Sequence, residues 1–325
     1  MKLLWLDLNS SYAHSSLALP ALHAQIADDT TIEWCIVSAT INENTGMVVS
    51  RIHKHRPDII AATNWLFNHE QLLHIISRAK ALLPHCCIVL GGPEFLGNNE
   101  AFLYKNKFVS GVFRGEGEEV FPQWLKVWNH SKETWKSITG LCYLDENGRY
   151  QDNGIARVMN FSQLVSPEKS CFFNWSKPFV QLETTRGCFN TCAFCVSGGE
   201  KPVRTIPLEA IRERLNDIHQ HGIKNVRVLD RTFNYNNKRA KELLDLFRQY
   251  PDICFHLEIH PALLSEELKQ ELSVLPKGLL HLEAGIQSLK ESVLQQSRRI
   301  GKLSDALEGL KYLCSLKNME THADL

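Results

Sequence analysis

Three cysteines crowd one short segment, Thr185-Arg-Gly-Cys188-Phe-Asn-Thr-Cys192-Ala-Phe-Cys195, in the spacing C-x3-C-x2-C. Thiolates are soft ligands suited to iron–sulfur clusters or zinc. A loop, unlike a helix, lets all three turn toward one centre. A four-iron cluster normally takes four cysteines, so three would leave one iron open to a ligand from outside the chain. A structural zinc would want a fourth ligand, and no histidine follows until His219 and His221. Cys192-Ala-Phe-Cys195 alone has the spacing of a dithiol redox pair, a reading that leaves Cys188 without a task.

The elements around this run are those of an α/β protein. The cysteines follow a predicted strand over 179–185, which places them at the mouth of a βα unit, where such folds put their sites. Further strands are predicted over 225–230, 253–259 and 279–284. Helices are predicted over 207–221, 238–250, 265–275 (with Ser265 as its cap), 289–296 and 304–316. The final Glu320-Thr-His-Ala-Asp-Leu reads as the start of another strand. A closed eight-stranded barrel takes about 250 residues, so 179–325 is expected to be an incomplete (β/α) barrel.

Upstream, strands over 2–8, 31–38, 58–62, 86–90 and 108–113 alternate with helices over 16–26, 46–55, 70–83, 99–104 and 118–128. That alternation implies a doubly wound, Rossmann-like parallel sheet. Between the two series, 141–151 reads as a small hairpin around Asn147-Gly148, followed by an aperiodic stretch with Pro167 and Pro178. The expected organisation is a domain over 1–139, a connector with a hairpin over 140–178, and a partial barrel over 179–325.

Composition bounds the function. The chain has 325 residues, 44% apolar and 22% charged, which is ordinary globular usage for about two domains. Lys+Arg and Asp+Glu are 36 each, and the pI is near 7.2. A balanced chain lacks the charge footprint of a dedicated nucleic-acid or membrane-surface binder. No stretch approaches the ~18 apolar residues of a spanning helix, and the apolar run at the start is short and broken by Asp7. A cytoplasmic location is expected. There the other seven of the 10 Cys should be reduced core residues. Cys86 and Cys87 are adjacent in a strand and point to opposite faces, so they are poorly placed to share a metal.

The cysteine run, with an aromatic residue before its last Cys, resembles the cluster loop of the radical S-adenosylmethionine (SAM) superfamily. Leu282-Glu-Ala-Gly-Ile-Gln-Ser288, with Arg299 beyond it, resembles the fourth-strand signature of the branch containing oxygen-independent coproporphyrinogen oxidase. Thr321-His-Ala-Asp-Leu resembles the opening of that branch's next strand. Gly91-Gly-Pro-Glu94 and Arg114-Gly-Glu-Gly-Glu118 resemble the cobalamin-binding domain fused to many of these proteins. The resemblance covers nearly the whole chain.

The resemblance implies a [4Fe-4S] cluster whose three protein-bound irons are held by Cys188, Cys192 and Cys195. The open iron would chelate the amino and carboxylate groups of SAM, and one electron would cleave the sulfonium to methionine and a 5′-deoxyadenosyl radical. An electron donor such as flavodoxin or ferredoxin is implied. Phe194 would lie against the adenine. Gln287 and Arg299 match positions near the SAM carboxylate, which a guanidinium suits bidentately. Glu258 and Glu283 would take ribose or amino groups.

The sequence departs from the family where a Gly-Gly-Glu is common after the second strand. Here Asp230-Arg-Thr-Phe-Asn234 stands there, and Asp230 is the expected amino-group partner. Gly198-Gly-Glu200 comes too early for that role. Gly91, Gly92, Gly115 and Gly117 would let backbone approach cobalamin. No Asp-x-His-x-x-Gly segment offers a histidine to cobalt, so cobalamin would bind without one. The function implied is reductive SAM cleavage, serving a cobalamin-dependent methyl transfer or another radical modification. The alternative is a catalytically incomplete, C-terminally truncated remnant, or a cofactor-binding protein without turnover. The sequence singles out no substrate.

Overall fold

A computed structural model describes residues 1–14, 16–197 and 200–325; Gly198 and Gly199 of the Gly-Gly-Glu run lie outside the described residues. The chain forms two units, Met1–Phe173 and Asn174–Leu325.

The first unit runs β1 (Lys2–Asn9), α1 (Ala18–Ala24), β2 (Glu33–Thr40), α2 (Thr45–His55), β3 (Ile59–Thr63), α3 (His69–Leu82), β4 (Cys87–Gly91), α4 (Glu100–Lys105), β5 (Gly111–Phe113), α5 (Val120–Leu125), β6 (Leu141–Leu144) and β7 (Tyr150–Asp152). Its seven strands lie in the order β2-β1-β3-β4-β5-β6-β7. The strands from β2 to β5 pair in parallel, and β6 and β7 antiparallel.

Both faces of this sheet are covered. Leu4, Leu6, Ile60, Ile88 and Leu90 pack with α2 and α3 through Val48, Ile52, Leu72 and Ile76. Leu3, Trp5, Ile59, Ala61 and Val89 pack with Leu19 of α1 and with Val120, Phe121 and Trp124 around α5. Two-sided burial explains why the strands read as unbroken apolar runs. The hairpin that the sequence placed in a connector is part of this sheet. Leu141, Cys142 and Tyr143 are fully buried and pair with β5, so burial draws the hairpin onto the edge strand.

The second unit runs β8 (Val180–Leu182), β9 (Thr185–Arg186), β10 (Arg204–Thr205), α6 (Leu208–Gln220), β11 (Asn225–Val228), α7 (Asn237–Phe247), β12 (Cys254–Ile259), α8 (Glu266–Ser273), β13 (Leu280–Gly285), α9 (Glu291–Gln296), α10 (Leu303–Ser315) and β14 (Glu320–Asp324). Its parallel sheet is ordered β14-β13-β12-β11-β8. Each strand lies beside its neighbour in sequence, as in a (β/α) barrel. The burial alternates with period two. Phe255, Leu257 and Ile259 of β12 and Leu280, Leu282 and Ala284 of β13 are buried. Phe255 stacks on Phe247 of α7, with ring centroids 4.1 Å apart. The residues between them carry the polar groups of the opposite face.

The strand predicted over 179–185 divides into β8 and β9, because the backbone at Thr184 and Thr185 turns to donate to the Asp230 carboxylate instead of continuing the ladder. Among the described residues no helix is long and apolar enough to cross a membrane.

The seven other cysteines do not all lie in the core. Cys86 and Cys142 are buried, Cys35, Cys87 and Cys254 half-buried, and Cys171 and Cys314 exposed on loop and helix surfaces. Cys86 behaves as a core thiol: burial and the neighbouring Cys87 push it up to about 12.

Candidate functional site

The cysteine loop leaves the carboxyl end of β8 and is closed at its base. β9 pairs antiparallel with β10, joining Arg186 to Arg204 and Thr185 to Thr205. Asp230, 1% exposed, accepts hydrogen bonds from the Thr184 and Thr185 amides at 2.8 and 2.9 Å and from the Thr184 hydroxyl. Arg186 pairs with Glu183 at 2.8 Å. Within the loop, the Cys188 amide donates to the Glu200 carbonyl at 2.9 Å, and the Cys195 amide to the Cys192 carbonyl at 3.2 Å. The Ala193 amide donates to the Ser297 carbonyl at 2.9 Å, tying the loop to the chain just past α9.

Cys188 and Cys192 are buried and Cys195 is exposed. Burial pushes the Cys188 thiol up. The Asn190 amide and the Thr232 hydroxyl pull it down, while Cys195 and Cys192 push it further up. Cys188 thus lies near enough to Cys195 and Cys192 to feel both. Burial and the neighbouring Cys195 and Cys192 oppose a free thiolate at Cys188, and a bound cationic centre relieves both. The donor set fits an iron–sulfur cluster with three protein ligands. Phe194, at the tip of the loop, is 57% exposed.

At the carboxyl end of β13, Gln287 and Arg299 meet. Arg299 Nη2 donates to the Gly285 carbonyl at 2.6 Å. A Cβ on Gly285 would come within 2.6 Å of Gln287 Nε2 and 3.3 Å of Arg299 Nη2. Gln287 has φ of +72°, a strained conformation for a residue with a side chain. Its amide is held by the Asp324 carbonyl at 3.0 Å.

Glu258 and Glu283 are register partners on β12 and β13. Burial, and then Glu283, push the Glu258 carboxyl up to about 7, and Arg231 offsets part of this. Glu283 is engaged from its own side, with Oε2 2.9 Å from His256 Nε2. Asp230 is a departure from the expected amino-group role. Burial raises its carboxyl, and its hydrogen bonds brace the base of the cysteine loop.

In the first unit the direction of strand order reverses between β1 and β3, which is where open α/β sheets form a crevice at their carboxyl ends. The segment after β3 places Trp65 and Phe67 roughly parallel, 6.2 Å apart, with Leu66 82% exposed. This apolar edge suits a flat ligand.

The glycines there approach the chain itself. Gly92 has φ of +112°, and a Cβ on it would sit 2.5 Å from the Asn64 carbonyl oxygen; at Gly115, with φ of +103°, the distance to the Ala156 carbonyl oxygen would be 2.2 Å. Gly117 abuts Leu22 and Gly91 lies near Phe113. Tight packing within the fold accounts for Gly92, Gly115 and Gly117 without a ligand.

Sequence reasoning passed over three histidines on the polar face of the second sheet. His256 and His281 are register partners, as are Glu283 and His322. A signal was available: His-Leu-Glu occurs at 256–258 and again at 281–283, on neighbouring strands.

Residues 182–320 match the radical SAM superfamily model, and residues 8–125 match the B12 binding domain. The chain thus carries a B12-binding domain ahead of a radical SAM domain.

Similar proteins include an uncharacterised methyltransferase of Pyrococcus horikoshii, 29% identical over 59% of this chain and 43% of that protein. The hopanoid C-3 methylase of Methylococcus capsulatus is 24% identical over 80% of this chain and 51% of that protein. The chain thus spans about half the length of these curated relatives. Among solved structures, the cobalamin-dependent SAM radical enzyme OxsB superposes with a TM-score of 0.78 at 17% identity, over 99% of this chain and 48% of that one. The radical SAM methyltransferase TsrM of Kitasatospora setae gives 0.75 at 14% identity, over 99% and 67%. At these identities the structures establish the shared fold.

Proposed function

We propose that this chain carries the cofactor-binding part of a cobalamin-dependent radical SAM methyltransferase. The observation that carries the reading is the cysteine loop: Cys188, Cys192 and Cys195 in one short run, with Cys188 near enough to the other two to feel both, closed at its base by the β9–β10 pair. The methylases and methyltransferases among its relatives support the reaction class.

In this reading Cys188, Cys192 and Cys195 hold a [4Fe-4S] cluster that, when bound, supplies the electron for SAM cleavage. The donor is a small redox protein of the flavodoxin or ferredoxin kind. Arg299 and Gln287, already side by side at Gly285, receive the SAM carboxylate; the guanidinium gives it a charge-assisted pair. Phe194 offers its exposed ring to the adenine. Glu258 accepts from the ribose. Asp230 and the β9–β10 pair hold the loop base in shape. Cobalamin lies at the carboxyl edge of the first sheet against Trp65, Leu66 and Phe67. Gly91, Gly92, Gly115 and Gly117 shape that edge.

The test is anaerobic reconstitution with iron and sulfide. The wild-type chain is expected to gain about four irons and the broad visible absorption of a cluster, and to cleave SAM on reduction. C188A/C192A/C195A is expected to gain neither. A wild-type chain that takes up no cluster, or a triple variant that keeps one, overturns the reading.

A further inference from the structure

We propose that the polar face of the second sheet holds a divalent transition-metal ion, bound by Glu283, His322 and Asp324 with His256 as fourth ligand. None of these residues belongs to the cysteine loop. Its ligands come from three adjacent strands, β12, β13 and β14, and the register brings them together.

One ligand atom each from Glu283, His322 and Asp324 lies within 4.8 Å of the other two. Glu283 Oε2 is 3.5 Å from His322 Nε2 and 2.9 Å from His256 Nε2. A tetrahedral ion with ligands near 2.0–2.1 Å sets ligand atoms about 3.3 Å apart. The Glu283–His322 spacing is already that edge, and the Glu283–His256 spacing needs to open by a few tenths of an ångström.

The surroundings suit a metal as well as the ligands do. His281 Nε2 lies 3.0 Å from His322 Nδ1. With the proton on Nδ1 of His322, that nitrogen donates to His281 and its Nε2 lone pair faces Glu283 and Asp324. A second ring hydrogen-bonded to the far nitrogen is the usual way a metal-binding imidazole is oriented. An ion of charge two balances the two carboxylates, whose oxygens lie within 4.8 Å of each other and of a His322 ring nitrogen. Two imidazoles and two carboxylates form a borderline nitrogen–oxygen set, suited to zinc, cobalt, iron or manganese rather than to calcium or magnesium.

Zinc is the probe, titrated calorimetrically into the full chain carrying C188A/C192A/C195A, so that no loop thiolate competes. The expected result is one zinc per chain. Glu283→Gln and His322→Gln added to that background should each weaken binding at least about tenfold, with unchanged circular dichroism in zinc-free buffer. Asp324→Asn repeats the test at an exposed end strand should either substitution disturb folding. No saturable zinc binding to the thiol-free chain, or binding unchanged by folded Glu283→Gln, His322→Gln and Asp324→Asn variants, overturns the site. Cluster assembly and SAM cleavage are not read here, so this outcome is independent of the reading given above.

Discussion

The two large sheets of the molecule are built on different terms. In the first, apolar side chains cover both faces, and the polar groups that matter lie on loops at its edge. In the second, apolar residues cover one face only. The other carries His256, Glu258, His281, Glu283, His322 and Asp324 in register. A sheet buried on both sides has room for ligands only at its ends, whereas a barrel-like sheet offers its inner face. The contrast fits the proposed function, in which a flat cofactor lies at the edge of the first sheet and the second surrounds reacting groups.

Substitutions at equivalent depth test that contrast most strongly. Ile60→Ala in β3 and Leu257→Ala in β12 both remove fully buried side chains, so each should cost about 2–5 kcal/mol in denaturant unfolding. Arg227→Ala on the polar face of β11, whose guanidinium lies 4.8 Å from the Phe179 ring, should cost only about 1 kcal/mol. Equal losses at Leu257 and Arg227 would mean that the second sheet is covered on both faces.

The edge of the first sheet comes next. Gly115→Ala forces a Cβ to within 2.2 Å of the Ala156 carbonyl oxygen at a positive φ, so a loss of about 2 kcal/mol is expected. Gly148→Ala, also at positive φ but with open space around it, should lose about 1 kcal/mol. A wild-type melting temperature for Gly115→Ala would reopen a direct ligand role for that glycine.

The remaining effect is a pH slope. Burial, and then Arg299, lower His260 to about 4 from an ordinary value near 6.5. The fold therefore favours the neutral imidazole. The stability this confers is complete above pH 6.5 and is lost as pH falls toward 4, by at most about 3 kcal/mol. His260→Gln should flatten that part of the pH–stability curve, as followed by melting temperature. An unchanged slope would place the acid sensitivity elsewhere.

Much of the architecture was legible because burial leaves a periodic trace. Unbroken runs such as Leu3–Leu6 marked a strand buried on both faces, and alternation in 254–259 marked one buried on a single face. The cysteine loop was legible because its ligands are local in sequence. What required coordinates was non-local. Asp230 is committed to Thr184 and Thr185, more than forty positions away, so its type alone suggested a ligand contact that its hydrogen bonds replace. Gly92 and Gly115 are fixed by carbonyls of Asn64 and Ala156, which no motif encodes. The hairpin at 141–152 has no period that reveals which sheet it will extend; its partner β5 decides that. The three histidines fall on separate strands, and only register makes them neighbours.

The bond from the Ala193 amide to the Ser297 carbonyl joins the sulfur-bearing loop to a stretch of chain that reaches Arg299 two residues later. Sulfurs and guanidinium are thus mounted on one short bracket. A push on either end is transmitted to the other through one hydrogen bond and a few covalent links, so the polypeptide itself couples the two.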